Sequence, residues 1–171
     1  MNSVRLSVDG ECPSQGSMKA FPFRRKNSKK LGVNQTHQDA KGIHKFRANV
    51  KDVCKNFHDD FYVDDADQAY SIVVTFYIKK PKTVKRKFPT RRNDKDLDKR
   101  IRALLDALTL SDVYNPFGLY KDDGQVIKIV ASKKYVDSKN VQPKTNVTIT
   151  KIRYIEDVSV ETDDFNEEEK P

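Results

Sequence analysis

Four aspartates in two short stretches are the residues of this sequence that could do chemistry. Asp96 and Asp98 flank Leu97, and Asp122 and Asp123 are adjacent further along the chain. Clustered carboxylates suit Mg²⁺, a hard cation that takes oxygen ligands and keeps several of its waters. Such a cation can orient a water molecule and stabilise charge on a phosphate during hydrolysis. If a loop brings the two stretches together, the sequence predicts a metal site that cleaves phosphodiester bonds.

A purely structural interpretation of the same aspartates stays open. Asp94 or Asp96 could cap the helix that starts at this point, because capping and the helix dipole alone favour aspartate there. Asp-Asp-Gly at 122–124 is also an ordinary turn sequence. The sequence has neither a GxxxxGK[ST] nor a GxGxxG stretch, so no nucleotide cofactor is expected.

The distribution of charge indicates a polyanionic partner. The chain has a net charge of +8, but the last 16 residues, 156–171, carry eight acidic residues and one lysine. The remainder therefore has a net charge of +15. Twelve of the 24 residues from Lys79 to Arg102 are lysine or arginine. Such a cluster can neutralise several phosphates of a nucleic acid.

Hydrophobic spacing predicts a mixed α/β (α+β) fold, in which helices pack on one mixed sheet. The predicted order is β-α-β-α-β-β, with strands over 4–8, 70–78, 125–136 and 146–155 and helices over 40–57 and 97–108. Residues 9–38 are rich in Gly, Pro, Ser and Lys and are predicted to form a long loop. We expect residues 1–155 to form one domain and 156–171 to be an acidic, disordered tail.

The apolar segments are all too short to cross a membrane. None approaches the roughly 18 residues that a spanning helix needs, and the N-terminus lacks the pattern of a signal peptide. The two cysteines suit a reducing compartment. We therefore expect a cytoplasmic protein without a membrane partner.

Three motifs in this order resemble the RusA family of Holliday junction resolvases. The family pattern is a D-L-D-N helix start, an apolar helix with D-A-L, and a D-D-x-Q-V strand start. The corresponding stretches here are Asp96-Leu97-Asp98, residues 103–108 (ALLDAL) and residues 122–126 (DDGQV). Residues 13–21 also look like the Pro-rich opening of the family. The resemblance spans about residues 4–153.

The resemblance implies an α/β fold, a homodimer and cleavage of branched DNA that depends on Mg²⁺, with Mn²⁺ as the alternative ion. The essential acidic residues of the family match Asp96, Asp98 and Asp123. A functional lysine of the family is replaced by Arg102, which keeps the charge but changes the geometry. The asparagine after D-L-D is Lys99 here, and residues 111–118 look like an insertion.

The expected function is therefore an endonuclease that cleaves Holliday junctions in DNA recombination and repair, in a bacterial cell or a phage-infected host. Arg102 would stabilise the developing charge. The expected contacts to the DNA backbone come from Lys19, Arg91, Arg92 and Lys99. Two alternatives stay open: a non-catalytic nucleic-acid-binding protein with the same fold, and a nuclease that cleaves a broader range of branched DNA.

Overall fold

A computed structural model describes residues 1–16, 40–90, 96–136 and 141–153 in full, and residues 19–24 and 31–36 by their backbone. The elements are numbered in chain order. They are β1 (Ser3–Asp9), β2 (Lys19–Arg24), β3 (Leu31–Thr36), α1 (Ala40–Cys54), α2 (His58–Phe61), β4 (Ala69–Lys79), α3 (Leu97–Leu108), β5 (Val126–Val136) and β6 (Lys144–Ile152).

Four of the strands form a mixed sheet in the order β1-β6-β4-β5. β4 and β5 are parallel, whereas β6 is antiparallel to both β4 and β1. A parallel pair needs a crossover, and α3 provides it between β4 and β5. α3 therefore runs from the sheet edge where β4 ends to the opposite edge, where β5 begins.

The hydrophobic core lies on one face of the sheet, beneath α1 and α3. β1 alternates exposed and buried residues along its whole length, and β4 buries every second residue from Tyr70 to Ile78. α1 contributes Phe46 and Val50, and α3 contributes Leu104 and Leu108. Each fully buried side chain of this size stabilises the fold by about 1.5–3 kcal/mol. The apolar spacing of the helices thus fixes which side of each helix faces the sheet.

The opposite side of the sheet is covered by no described helix, and we call it the open face. It consists of the odd-numbered residues 3–9 of β1 and 71–77 of β4, and the even-numbered residues 128–134 of β5 and 144–150 of β6. Val73 at its centre is 50% exposed and the neighbouring Val130 is 51% exposed. The sheet is therefore packed on one side and accessible on the other.

The structure confirms the predicted α+β class, a mixed sheet with helices packed on it. α3 occupies the predicted residues 97–108, and the order β-α-β-α-β-β holds for the four-stranded sheet and its two long helices. The prediction of a loop over 9–38 was wrong, because β2 and β3 form an antiparallel pair there. Pro22 lies within β2, and proline in a segment argues against a strand unless that strand is at an edge. The short helix α2 was also missed.

The predicted acidic tail lies outside the described part of the chain. The tail, 156–171, falls within residues 154–171, which the structure does not describe, so the division at 155 stays a prediction.

Among the described residues, no helix is both long and apolar enough to cross a membrane.

Candidate active site

The start of α3 presents two exposed carboxylates. Asp96 is the N-cap residue, yet its side chain makes no capping hydrogen bond. Its Oδ2 instead accepts a hydrogen bond from Lys99 Nζ at 2.7 Å, and the two side chains are 62% and 43% exposed. This hydrogen bond, together with the negative charge of Asp96, raises the pKa of Lys99. Capping therefore does not account for the aspartate at position 96.

Asp98 lies in the first turn of α3 and is exposed. Within the described residues its carboxylate accepts no hydrogen bond and forms no ion pair. Arg102, also exposed, follows one turn later on the same side of the helix. Asp98 and Arg102 form no ion pair with each other, so both side chains are accessible to a ligand.

Arg100 anchors this first turn to the rest of the molecule. Its side chain is completely buried, Nη2 lies 2.8 Å from Glu11 Oε1, and Nη1 donates to the carbonyl oxygen of Cys12. The backbone N–H of Gln15 also donates to the carbonyl oxygen of Lys99 at 3.1 Å. The segment that follows β1 therefore fixes the position of the turn that carries Asp98. This role of Arg100 was not predicted from the sequence.

The second carboxylate stretch forms a tight 3₁₀ turn over Asp123–Gln125. Asp122 is its N-cap residue, and the Asp122 carboxylate accepts a hydrogen bond from the backbone N–H of Gly124 at 2.7 Å. The predicted turn role of this Asp-Asp-Gly stretch therefore belongs to Asp122. Asp123 is exposed and, among the described residues, its carboxylate has no hydrogen bond and no ion pair.

Gln125 holds this turn against the chain segment before β4. Its buried Oε1 accepts hydrogen bonds from the backbone N–H groups of Lys121 and Asp122, at 2.9 and 3.1 Å. Its Nε2 donates to the carbonyl oxygens of Asp65 and Gln68, at 2.8 and 3.1 Å. The glutamine of the D-D-x-Q pattern is thus a structural residue. The glutamine is visible in the sequence motif, but its hydrogen-bond partners are seen only in the structure.

The segment 111–118, predicted as an insertion, packs against the C-terminal end of α3. The buried Asn115 side chain donates to the carbonyl oxygen of Ala107 at 2.8 Å. The backbone of Gly118 passes so close to Leu110 that a Cβ atom on Gly118 would lie 2.2 Å from Leu110 N. The chain thereby returns to the helix end before it enters the turn at Asp123.

A second polar cluster, also missed from the sequence, surrounds Asp106 in the middle of α3. The carboxylate accepts hydrogen bonds from Gln15 Nε2 at 2.5 Å and from Arg47 Nη2 at 3.1 Å. The Arg47 guanidinium also lies 5.2 Å from the centre of the Tyr114 ring. This cluster joins α1, α3, the segment after β1 and the segment 111–118, so Asp106 has a structural role.

One chain places Asp96 and Asp98 at the start of α3 but leaves Asp123 at the other end of the helix. The backbone N–H of Leu119 donates to the carbonyl oxygen of Leu108, which places the return of the chain at the helix C-terminus. The 12 residues of α3 separate the two ends by about 18 Å. In the described part of the chain, no group of three or more His, Cys, Asp and Glu side chains could hold a metal ion.

The predicted DNA contacts are described only in part. Lys99 is paired with Asp96, as above, and Lys19 begins β2, opposite Thr36 of β3. Arg91 and Arg92 lie outside the described residues. The roles of all four in DNA binding stay predictions.

Comparison with protein-family models gives a match to the family described as endodeoxyribonuclease RusA, over residues 19–150. The match covers more than half of the chain and includes both aspartate stretches and α3. The chain belongs to the RusA family. No curated protein matches it. Membership in the RusA family confirms the predicted resemblance and makes this chain an endodeoxyribonuclease whose partner is DNA.

Proposed function

We propose that this RusA-family protein is a Mg²⁺-dependent endonuclease that cleaves Holliday junctions during DNA recombination and repair. The observation that carries the proposal is the pair of exposed carboxylates, Asp96 and Asp98, at the start of α3. Asp123 is the third proposed metal-binding carboxylate, because its neighbour Asp122 has the structural role in the turn. Such substrates place the activity in the cytoplasm of a bacterial cell or a phage-infected host.

The available side chains fit a hard divalent cation. Asp96 and Asp98 offer carboxylate oxygens on one exposed helical turn, where the ion can keep several waters. Bound there, Mg²⁺ would supply Lewis-acid stabilisation of the phosphate and an activated water. Mn²⁺ is the alternative, since it accepts the same oxygen ligands.

The basic residues near this turn have distinct proposed roles. Arg102 is exposed one turn beyond Asp98, where its guanidinium would stabilise negative charge that develops on the phosphate. Lys99 would exchange its contact with Asp96 for a DNA phosphate when a cation occupies the carboxylates. Lys19, Arg91 and Arg92 would add contacts to the sugar–phosphate backbone.

The separation of the carboxylates along α3 favours a homodimer. Asp123 cannot join Asp96 and Asp98 of its own chain without a large movement, because about 18 Å of helix lies between them. A two-fold axis would bring Asp123 of each subunit to the start of α3 in the other subunit. Two identical sites would then cut the two opposed strands of a four-way junction.

The activity is tested by incubating the protein with a labelled synthetic four-way junction, with Mg²⁺, with Mn²⁺ and with EDTA. Linear duplex, a flap and a three-way junction serve as comparison substrates. Paired symmetric nicks on the junction that require the cation support the proposal. Equal cutting of all branched substrates would indicate a broader nuclease, and binding without cutting under either metal would indicate a non-catalytic DNA-binding protein.

The shared site is tested by mixing two inactive variants. Asp98→Asn and Asp123→Asn each abolish cutting alone, but a heterodimer of the two keeps one intact site if Asp123 acts across the interface. We expect the heterodimer, purified through two different affinity tags, to nick one strand of the junction. A heterodimer of Asp98→Asn and Asp96→Asn is the matched control and stays inactive. Inactivity of both heterodimers would refute the shared site.

A further inference from the structure

We propose that the open face of the sheet binds the sugar–phosphate backbone of a DNA arm that leaves the start of α3. The inference rests on the proposed function, since it assigns one surface to the substrate of that activity. It adds a site away from the aspartates, on the side of the sheet that no described helix covers. Neither the family match nor the motifs assign a role to this side.

The side chains of the open face are those that contact DNA backbone in general. Nine of its sixteen residues carry a hydroxyl or an amide group, and four are basic against one acidic residue. Hydroxyl, amide and cationic side chains provide most protein contacts to phosphate oxygens. A shallow groove crosses the face and is lined by Arg5, Ser7, Val73, Thr75, Lys144 and Thr148.

Two of the four basic residues, Lys134 and Lys144, lie at the sheet edge next to the proposed metal site, where Asp9, the single acidic residue of the face, is opposite Lys144. Tyr77 of β4 lies between Lys144 of β6 and Lys134 of β5 in the strand register. Lys144 Nζ lies 5.9 Å from the centre of the Tyr77 ring. β1 ends at this same edge, opposite Lys144, and the residues that follow β1 contact the first turn of α3. A strand that leaves Asp98 can therefore continue around the edge onto the open face.

Charge makes DNA a better occupant than a second copy of the chain. A face with four basic residues and one acidic residue would repel an identical face across a two-fold axis. Only Val73 and Val130, which are paired neighbours, give the centre apolar character. Stable interfaces between identical chains have a larger apolar centre than two valines provide. Release of counterions on phosphate binding favours a DNA partner instead.

The test compares two double variants that remove equal charge. Lys134→Gln/Lys144→Gln changes the open face, and Lys41→Gln/Lys45→Gln changes two exposed lysines of α1. Junction binding is measured in EDTA, which prevents cleavage, over a range of salt concentrations. We expect the open-face variant to reduce the slope of log K against log salt by about 2 and to weaken Kd about 10- to 60-fold at 0.1 M salt. The α1 variant should change the slope by less than about 1.

Thr148→Glu is an independent probe that leaves every lysine in place. Thr148 lies between Arg5 and Val73 in the register, so a carboxylate there would repel phosphate at the centre of the face. We expect weaker junction binding with an unchanged melting temperature. Equal slopes for the two double variants together with unchanged binding by Thr148→Glu would overturn the proposal. Dissociation of a dimer by these variants would also overturn it, because the face would then bind a second copy.

The outcome can be separated from that of the proposed function. Binding in EDTA does not depend on catalysis, and the cleavage rate at saturating DNA does not depend on affinity. Absence of junction cleavage by the unaltered protein would refute the proposed function alone. Normal affinity of the open-face variants would refute the binding face alone.

Discussion

The start of α3 and the turn after its C-terminal end both present exposed aspartates, but the two regions are held in different ways. At the start of α3, the residues beside Asp98 carry the anchoring contacts, chiefly the buried Arg100. In the turn, the anchoring is shared by Asp122 and the buried Gln125, while Asp123 remains exposed. The comparison shows that one aspartate of an adjacent pair can have a structural role and leave the other available for chemistry.

The two regions also differ in whether capping accounts for their aspartates. Side-chain capping explains Asp122, because its carboxylate accepts the hydrogen bond from Gly124 N–H that a cap requires. The same explanation does not hold for Asp96, whose carboxylate contacts Lys99 instead. Variants of the two regions should therefore differ in whether they lose activity, stability or both.

The largest expected effect distinguishes Asp123 from its neighbour. Asp123→Asn should lower the single-turnover rate of junction cleavage about a thousandfold or more, since a metal ligand would be lost. Asp122→Asn should change the rate less than about threefold, because asparagine caps a turn as well as aspartate. Both variants should bind the junction in EDTA like the unaltered protein. Equal rates for the two variants would contradict the distinction.

The second prediction concerns Gly118, where the chain passes close to Leu110 before it enters the turn at Asp123. Gly118→Ala should lower the free energy of unfolding by about 2–4 kcal/mol, because the added Cβ would overlap the backbone of Leu110. Urea denaturation followed by circular dichroism measures the loss. Gly16→Ala is the matched control, since no atom lies within 4 Å of a Cβ built at Gly16. Similar stability of both variants would show that the close approach does not matter.

The third prediction concerns the anchor of the turn. Gln125→Ala should cost about 1–3 kcal/mol of unfolding free energy, because backbone groups that bond to its side chain lose their partners. It should also reduce cleavage by displacing Asp123.

At the start of α3, Asp96→Asn should change the free energy of unfolding by less than about 0.5 kcal/mol while abolishing cleavage. A stability loss for Asp96→Asn as large as that for Gln125→Ala would remove the contrast between the regions.

The smallest effect is expected at Lys99, which competes with a cation for Asp96. Lys99→Asn removes this ion pair between exposed side chains and should lower the Mg²⁺ concentration for half-maximal cleavage about two- to fivefold. Titration of the cleavage rate with Mg²⁺ measures the shift. Lys121→Asn removes an exposed ion pair with Asp64 and serves as the control. An equal shift in the control would indicate a general effect of surface charge.

Sequence reasoning recovers the elements that depend on local periodicity. α3 is found at its predicted residues because apolar side chains recur every three or four positions, and β4 because it is dense in β-branched and aromatic residues. β2 and β3 were missed, since a two-stranded pair rich in polar residues and containing Pro22 lacks that pattern.

Features that depend on distant contacts could not be predicted in the same way. Arg100 lies in a basic run and reads as a surface residue, but its partner Glu11 is 89 positions away in the sequence. The two aspartate stretches were expected to meet through a loop. Their placement at opposite ends of α3 follows from the parallel pairing of β4 and β5, which the order of elements permitted but did not require. The family resemblance already singled out Asp123, but the structural role of Asp122 follows from a hydrogen bond that the sequence does not show.

The pairing of β1 with β6 has a consequence for the order in which the molecule can be made. Ser3 lies opposite Thr150, so β1 leaves the ribosome well before β6, the strand that pairs with it, has been synthesised. At about 5–20 residues per second, this delay is about 7–30 seconds. A chain that stops before β6 lacks the strand that joins β1 to β4. Translation products that stop before β6 therefore cannot complete the four-stranded sheet.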